Sequence, residues 1–292
     1  MHETYLKMKI AIASGKGGTG KTFISTNLFW TAQHTGVPTT LIDCDAEEPN
    51  VSEFFSGEEQ SVEKVIQHLP HINAEACTFC GKCAEYCNYN AILFLPENRF
   101  IKVLSDLCHD CGACSYACEY GAIIEQEKTI GTVKISSAGN SSHIIESRLE
   151  VGEHSPVSVI KKAIKSADSQ HLILLDAPPG ISCPFITTVE QADFIILVTE
   201  PTPFGLHDLE LSVSTIQQFQ KPVGVIVNKS GLGNRAVYQW LDENKIPLLL
   251  EVPFDKDIAH IYSEGKILAK ENPAYRGIFQ QVLNIMMHAH WS

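Results

Sequence analysis

Short apolar runs, each closed by a polar or glycine-rich segment, set the rhythm of this chain. Residues 7–14 (KMKIAIAS), 38–43 (PTTLID), 171–176 (HLILLD), 193–199 (DFIILVT), 222–228 (PVGVIVN) and 247–252 (PLLLEV) are the clearest. They are too short for helices and too uniformly apolar for strands wetted on one side. Such runs predict strands buried on both faces of a sheet. The segments 21–33, 205–220 and 234–244 between them have helical length. Strands alternating with helices predict an α/β fold, doubly wound around a mainly parallel sheet.

The alternation stops between residues 61 and 128, where eight of the ten cysteines fall. They form two runs, Cys77, Cys80, Cys83, Cys87 and Cys108, Cys111, Cys114, Cys118, each spaced C-x2-C-x2-C-x3-C. An Ala-Ile pair follows each run (Ala91-Ile92 and Ala122-Ile123), so the stretch reads as an internal duplication. The expected organisation is a core of residues 1–60 and 129–292 with residues 61–128 inserted. Residues 129–151 (TIGTVKISS…HIIESRLEV) are expected to return as a β-hairpin.

Composition narrows the chemistry. The chain has 292 residues, 44% of them apolar, enough for a full core and one small extra module. No apolar run reaches the roughly 18 residues of a spanning helix, so no membrane insertion is expected. The net charge of −12 argues against general nucleic-acid binding, which needs a basic face. The first seven residues are polar and lack an apolar signal core, which points to a cytoplasmic protein. In that reducing compartment, cysteines at ligand spacing indicate metal rather than disulfides. Four cysteines in one run have the spacing that holds [4Fe–4S] clusters. Zinc is the other candidate, although zinc ribbons use separated C-x2-C pairs.

Gly15-Lys16-Gly17-Gly18-Thr19-Gly20-Lys21-Thr22 follows the first apolar run and satisfies G-x-x-x-x-G-K-[ST]. Glycines allow the backbone N–H groups to turn toward phosphates, and the following helix adds its positive end. Lys21 is expected at the β- and γ-phosphates and Thr22 at Mg2+. Asp43, Asp45 and Asp176 stand at or just beyond the ends of apolar runs.

The lysine pair in K-G-G-x-G-K-T resembles the deviant phosphate loop of the MinD/ParA/nitrogenase-iron-protein superfamily. Asp43-Cys44-Asp45 with Asn50 is similar to that superfamily's switch I, and Asp176-Ala177-Pro178-Pro179-Gly180 to its switch II. Thr199-Glu200-Pro201-Thr202, Asn228-Lys229 and Val252-Pro253-Phe254-Asp255 resemble the segments that flank the base. The likeness spans nearly all of the chain outside the insert, and with the cysteines it resembles MinD-like ATPases carrying a ferredoxin domain. Three departures stand out. Phe23 replaces a common second Thr, Asn88 and Glu119 replace the proline after each fourth cysteine, and residues 274–292 lack the lysines of a membrane-binding terminal helix. That last segment is expected to be a docked helix.

The resemblance implies an ATP- and Mg2+-dependent hydrolase. Lys16 would reach across a homodimer, or a heterodimer with a paralogue, to the partner's phosphates. Asp45 would orient the attacking water, Asp176 would hold Mg2+ through water, and Asp43 would serve either the loop or the metal. Asn228 and Pro253 would contact the base. No Asp follows Asn228-Lys229 at the guanine-reading position, where Gly231 stands. In two-cluster ferredoxins the fourth cysteine of each run ligates the other cluster. That likeness implies Cys77, Cys80, Cys83 and Cys118 for one cluster, and Cys108, Cys111, Cys114 and Cys87 for the second. Of the remaining cysteines, Cys44 is expected in the core and Cys183 packed within switch II. The implied function is a dimeric ATP switch that governs a two-[4Fe–4S] module, for electron transfer to a client or maturation of its metal cofactor. A metallocluster assembly or carrier ATPase, and a positioning ATPase with structural clusters, are the alternatives.

Overall fold

The computed structural model describes residues 7–288. The elements run β1 (Lys9–Ala13), α1 (Lys21–His34), β2 (Thr39–Asp43), β3 (Glu58–Ile72), α2 (Lys82–Glu85), β4 (Ile92–Leu95) and β5 (Phe100–Val103). Then follow α3 (Ala113–Ala117), β6 (Ile123–Gly139), β7 (Ser142–Leu149), α4 (Val157–Lys165), β8 (Leu172–Asp176), α5 (Cys183–Glu190) and β9 (Phe194–Thr199). The chain continues through α6 (Pro203–Ile216), β10 (Val223–Ser230), α7 (Ala236–Glu243), β11 (Leu248–Pro253), α8 (Lys256–Ser263), α9 (Leu268–Glu271) and α10 (Pro273–His288). Two compact units divide it. One holds the chain up to Glu63, Val133–Arg148 and everything from Pro156; the other holds Lys64–Thr132 and Leu149–Ser155.

The larger unit is built on a sheet of order β11-β10-β9-β1-β8-β2-β7-β6-β3. Every pairing from β11 to β7 is parallel. The six apolar runs become β1, β2, β8, β9, β10 and β11. The carboxyl ends of these six strands gather the phosphate loop, Asp43, Asp176, Glu200, Asn228 and Pro253 along one edge of the sheet, as expected for ligand sites of open α/β sheets. Ile10 and Ile12 of β1 join Phe23, Ile24, Leu28 and Phe29 of α1 and Phe279, Val282 and Leu283 of α10 in one core cluster. The expected terminal helix is thus docked; residues 289–292 lie outside the described residues.

α1 buries 12 of its 14 residues, so it has no wet face on which to leave its polar side chains. They are satisfied internally: Thr26, Asn27 and Thr31 donate to carbonyls four residues back, at 2.7, 2.7 and 2.8 Å. Asn27 Oδ1 also accepts from the backbone N–H of Ala269 at 2.7 Å, which fixes α9 against α1.

Two features differ from the sequence reading. β3 begins at Glu58 and runs for 15 residues into the stretch where the alternation of strands and helices was expected to stop. Most of its residues are exposed and Pro70 lies within it, so it carried neither an apolar run nor a clean alternation. The returning hairpin starts at Ile123 rather than 129, and its turn is Asn140-Ser141, both left-handed (φ 50° and 56°), the geometry of a tight hairpin turn.

The smaller unit has few buried side chains, among them Ala91, Ile92, Ala117 and Ala122. Its sequence repeat is also a backbone repeat. The residue two after the first cysteine (Phe79, Asp110) is left-handed in both halves, at φ 58° and 53°. So is the glycine after the second cysteine (Gly81, Gly112), at 80° and 68°, and the residue three after the fourth (Asn90, Gly121), at 53° and 62°. The halves are joined crosswise. Asn73, four residues before the first run, donates to Ala122 O after the second at 2.8 Å; Leu104, four before the second run, donates to Ala91 O after the first at 2.7 Å.

Candidate nucleotide and metal sites

The phosphate loop turns through left-handed Gly18 (φ 76°) and Gly20 (φ 98°) into the first turn of α1. Lys21 is buried at 8% exposure. Burial lowers its pKa, while the carboxylates of Asp176 and Asp45 pull it back up. Thr19 Oγ1 and Asp176 Oδ1 are buried with no hydrogen-bond partner. Buried polar atoms are seldom left this way in a finished interior, so both are open to a polar ligand.

Three carboxylates serve this edge differently. Asp43 Oδ1 accepts from the Asp45 N–H at 3.1 Å, and Oδ2 from the N–H groups of Asn50 and Val51 at 2.8 and 2.9 Å. Both oxygens therefore hold the loop that follows β2, from Asp45 to Val51. Burial, and then the nearby Asp176, push Asp43 up to about 8 against those hydrogen bonds. Asp176 is pushed up to about 6 by burial, countered by the hydroxyls of Thr22 and Ser25 and by Lys21. Asp45 is half-buried, and burial raises it as well. Of the three, Asp176 is the one with a buried oxygen that has no partner.

Lys16 meets a different carboxylate. Its Nζ is 3.3 Å from Glu200 Oε2, and Lys229 Nζ bonds Glu200 Oε1 at 2.5 Å and Gly18 O at 3.1 Å. Asn228 sends its amide into the loop, donating to Thr19 O at 2.8 Å. Beside it opens a cleft of about 250 Å³ lined by Phe23, Asn228, Pro253, Asp255, Ile258 and Tyr262 among others. The ring of Phe23 meets Tyr262 edge-on at 5.8 Å, and Tyr262 stacks on Phe54 at 5.1 Å.

In the smaller unit the eight cysteines line two separate cavities, and they divide crosswise. Cys77, Cys80, Cys83 and Cys118 line one; Cys87, Cys108, Cys111 and Cys114 line the other. Backbone N–H groups point at three of the sulfurs: Phe79 to Cys77 Sγ at 3.4 Å, Ala91 to Cys87 Sγ at 3.2 Å, and Ala122 to Cys118 Sγ at 3.3 Å. Burial raises the thiols of Cys83, Cys108 and Cys114. Among the described residues, no three His, Cys, Asp or Glu side chains are grouped to hold a single metal ion. Cys44 is fully buried beside Asp43. Cys183 is not packed as expected but exposed at the first position of α5, because residues 181–183 pass over the surface.

A family model for the CobQ/CobB/MinD/ParA nucleotide binding domain matches residues 10–268. The chain belongs to that family. An uncharacterised protein of Methanocaldococcus jannaschii is 32% identical over 269 residues, covering 91% of each chain. An iron–sulfur cluster carrier protein of Pyrococcus abyssi is 23% identical over 239 residues, covering 77% of this chain and 63% of that one. Among solved structures, the septum site-determining protein MinD of Pyrococcus horikoshii, complexed with Mg-ADP, superposes with a TM-score of 0.58 at 20% identity, covering 96% of this chain and 95% of that one. This last likeness establishes the MinD-like fold, with its P-loop and parallel sheet. No helix among the described residues is long and apolar enough to cross a membrane.

Sequence reading of this CobQ/CobB/MinD/ParA chain missed Glu200 as the partner of Lys16, although the Thr199–Thr202 segment was singled out. Nothing in a linear string pairs residues 184 apart. Tyr262 went unnoticed for the same reason: it comes from α8, outside every motif, and only the fold brings it to Phe23.

Proposed function

We propose that this chain is an ATP-driven dimeric switch carrying two [4Fe–4S] clusters, with a nucleotide-binding core and an inserted ferredoxin-like module that holds the eight cysteines. The observation that carries the reading is the crosswise division of the eight cysteines between two cavities. Each cavity is lined by three cysteines of one run and the fourth of the other, the ligation pattern of two-cluster ferredoxins. The crossed backbone bonds of Asn73 and Leu104 support the same pairing. Bound there, each cluster would supply one-electron redox chemistry, with N–H···S bonds such as those of Ala91 and Ala122 tuning its potential.

At the nucleotide, Lys21 would neutralise the β- and γ-phosphates, and Thr22 with Asp176 would hold Mg2+. The free Oδ1 of Asp176 and Oγ1 of Thr19 suit that ligand. Asp43, with both oxygens engaged, would shape switch I, leaving Asp45 to orient water. Asn228 and Pro253 line the cleft that would take the base. Lys16 would leave Glu200 to meet the phosphates of a second subunit. The partners are thus another copy or a paralogue, and a redox or metal-cofactor client. The iron–sulfur carrier named among the relatives favours a second reading, in which the clusters are cargo; four cysteines per cavity favour resident clusters.

Anaerobically purified protein would be titrated potentiometrically with ADP, with a non-hydrolysable ATP analogue, and with neither. A tenfold coupling between reduction and nucleotide binding shifts a one-electron potential by about 59 mV. Identical potentials in all three would sink the coupled switch, and clusters that move intact to an apo-acceptor would favour the carrier.

A further inference from the structure

Glu146 lies on β7 opposite Asp43 of β2 in the parallel register, and it is buried at 6% exposure. A buried carboxylate is costly unless its oxygens are paired. Here both are. Oε2 accepts from Ser52 Oγ at 2.6 Å, and Oε1 accepts from Arg148 Nε and Nη2 at 3.1 and 3.0 Å. Lys134 Nζ stands 3.7 Å from Oε2. Burial raises its pKa, but Ser52, Arg148 and Lys134 outweigh that and hold the group below the ordinary glutamate value.

The identity of these partners matters. Ser52 lies in the short turn Val51–Phe54, directly after Asn50, at the far end of the loop that Asp43 clamps. Lys134 and Arg148 stand at the two ends of Val133–Arg148, the segment between the chain's return from Thr132 and its departure to Leu149. All four residues belong to the larger unit. Next to Glu146, Ser147 Oγ donates to Asp43 O at 2.5 Å, a second tie between β7 and the start of switch I.

We infer that Glu146 is a positioning residue that couples switch I, through Ser52, to the β6–β7 hairpin by which the chain leaves and re-enters the cysteine-rich unit. The inference rests on the nucleotide-switch reading. If nucleotide pulls the loop after Asp43, Ser52 either parts from Glu146 or carries it along. Parting leaves a buried charged oxygen short of its closest donor, a larger loss than a typical neutral hydrogen bond. Moving together keeps the bond, and packed elements move as units more readily than they deform. Glu146 then passes the displacement to β7 directly and to β6 through Lys134.

The test is hydrogen–deuterium exchange on the anaerobically purified full chain, with and without Mg2+ and a non-hydrolysable ATP analogue. Nucleotide binding is measured separately by titration. In the wild type, nucleotide should change exchange at residues 44–55 and also at residues 133–148, by about tenfold or more at the hairpin amides. Ser52→Ala should keep nucleotide binding and the response at 44–55 but lose the response at 133–148. Ser52→Thr, which keeps a hydroxyl, should restore it. An unchanged hairpin response in Ser52→Ala overturns the inference, as does a wild-type hairpin that stays silent while 44–55 responds. Failure of the wild type to bind nucleotide removes the switch reading and this inference together, and the titration separates that case from the others.

Discussion

Lys16 and Glu200 form an ion pair within one chain, Nζ to Oε2 at 3.3 Å, and Glu200 shares its other oxygen with Lys229. The lysine that the family resemblance sends to a partner's phosphates therefore has a competing carboxylate in its own subunit. Glu200 is only 14% exposed at its side chain and its pKa is lowered, by the Lys229 hydrogen bond and the two ammonium charges against burial.

Lys16→Ala is expected to bind nucleotide as a monomer and to lose hydrolysis, whereas Lys21→Ala loses phosphate binding itself. Glu200→Gln frees Lys16 and should lower the ATP concentration for half-maximal dimerisation. Lys16 is 31% exposed, so the pair is worth at most about 1 kcal/mol, or roughly fivefold. Sedimentation against nucleotide concentration reads dimerisation, nucleotide titration reads binding, and phosphate release reads hydrolysis. Full turnover by Lys16→Ala would remove the trans role of that lysine.

The crossed cavities predict how cysteine variants group. Anaerobic wild type should hold about eight irons per chain, two cubanes of four. Cys118→Ala should lose the same spectroscopic species as Cys77→Ala, and Cys87→Ala the same species as Cys108→Ala, because those pairs share cavities. Electron paramagnetic resonance of the dithionite-reduced variants makes the comparison. Grouping by run instead would refute crossed ligation.

Gly18 and Gly20 are both left-handed, yet their surroundings differ. A side chain at Gly18 would meet nothing, so Gly18→Ala should cost about 1–2 kcal/mol of backbone strain alone. A Cβ at Gly20 would collide with Asn228 Nδ2 and displace the amide that braces Thr19 O. Gly20→Ala should therefore weaken nucleotide binding more than Gly18→Ala does. Thermal unfolding and nucleotide titration of the two variants decide the matter. Equal affinities would show that Asn228 does not shape the loop.

Asp43 and Asp176 give the nucleotide-free protein a pH dependence. Both folded-state values lie above the ordinary 3.8, at about 8 and about 6, because burial disfavours the charged carboxylates. Stabilisation from the neutral acids is complete below about pH 4 and is lost as pH rises through those folded values. The unfolding temperature should fall as pH rises from about pH 4, with both acids contributing up to about pH 6 and Asp43 alone up to about pH 8, and Asp43→Asn should flatten the slope in that upper range. Mg2+ with ADP should flatten it too, by supplying the counter-charge. A slope unchanged in Asp43→Asn would contradict this origin.

The sequence by itself determined the core strands, because a strand buried on both faces has to be uniformly apolar over a few residues; five such runs became β1, β2, β8, β9 and β10, while the sixth became β11, an edge strand in which only Val252 is buried. It also determined the phosphate loop and the duplicated cysteine spacing, since these depend on residues close together in the chain. β3 was illegible because its largely exposed residues carry no period. The pairing of Lys16 with Glu200, the cleft formed by Phe23 and Tyr262, the burial of Glu146 among Ser52, Arg148 and Lys134, and the exposure of Cys183 were decided by tertiary structure. The Ser52–Glu146, Lys16–Glu200 and Phe23–Tyr262 contacts join residues 94 to 239 apart, and such contacts leave no local signature. The division of labour between Asp43 and Asp176 belongs there too. Both are aspartates closing an apolar strand, and only the folded loop shows that one has both oxygens engaged while the other keeps one without a partner.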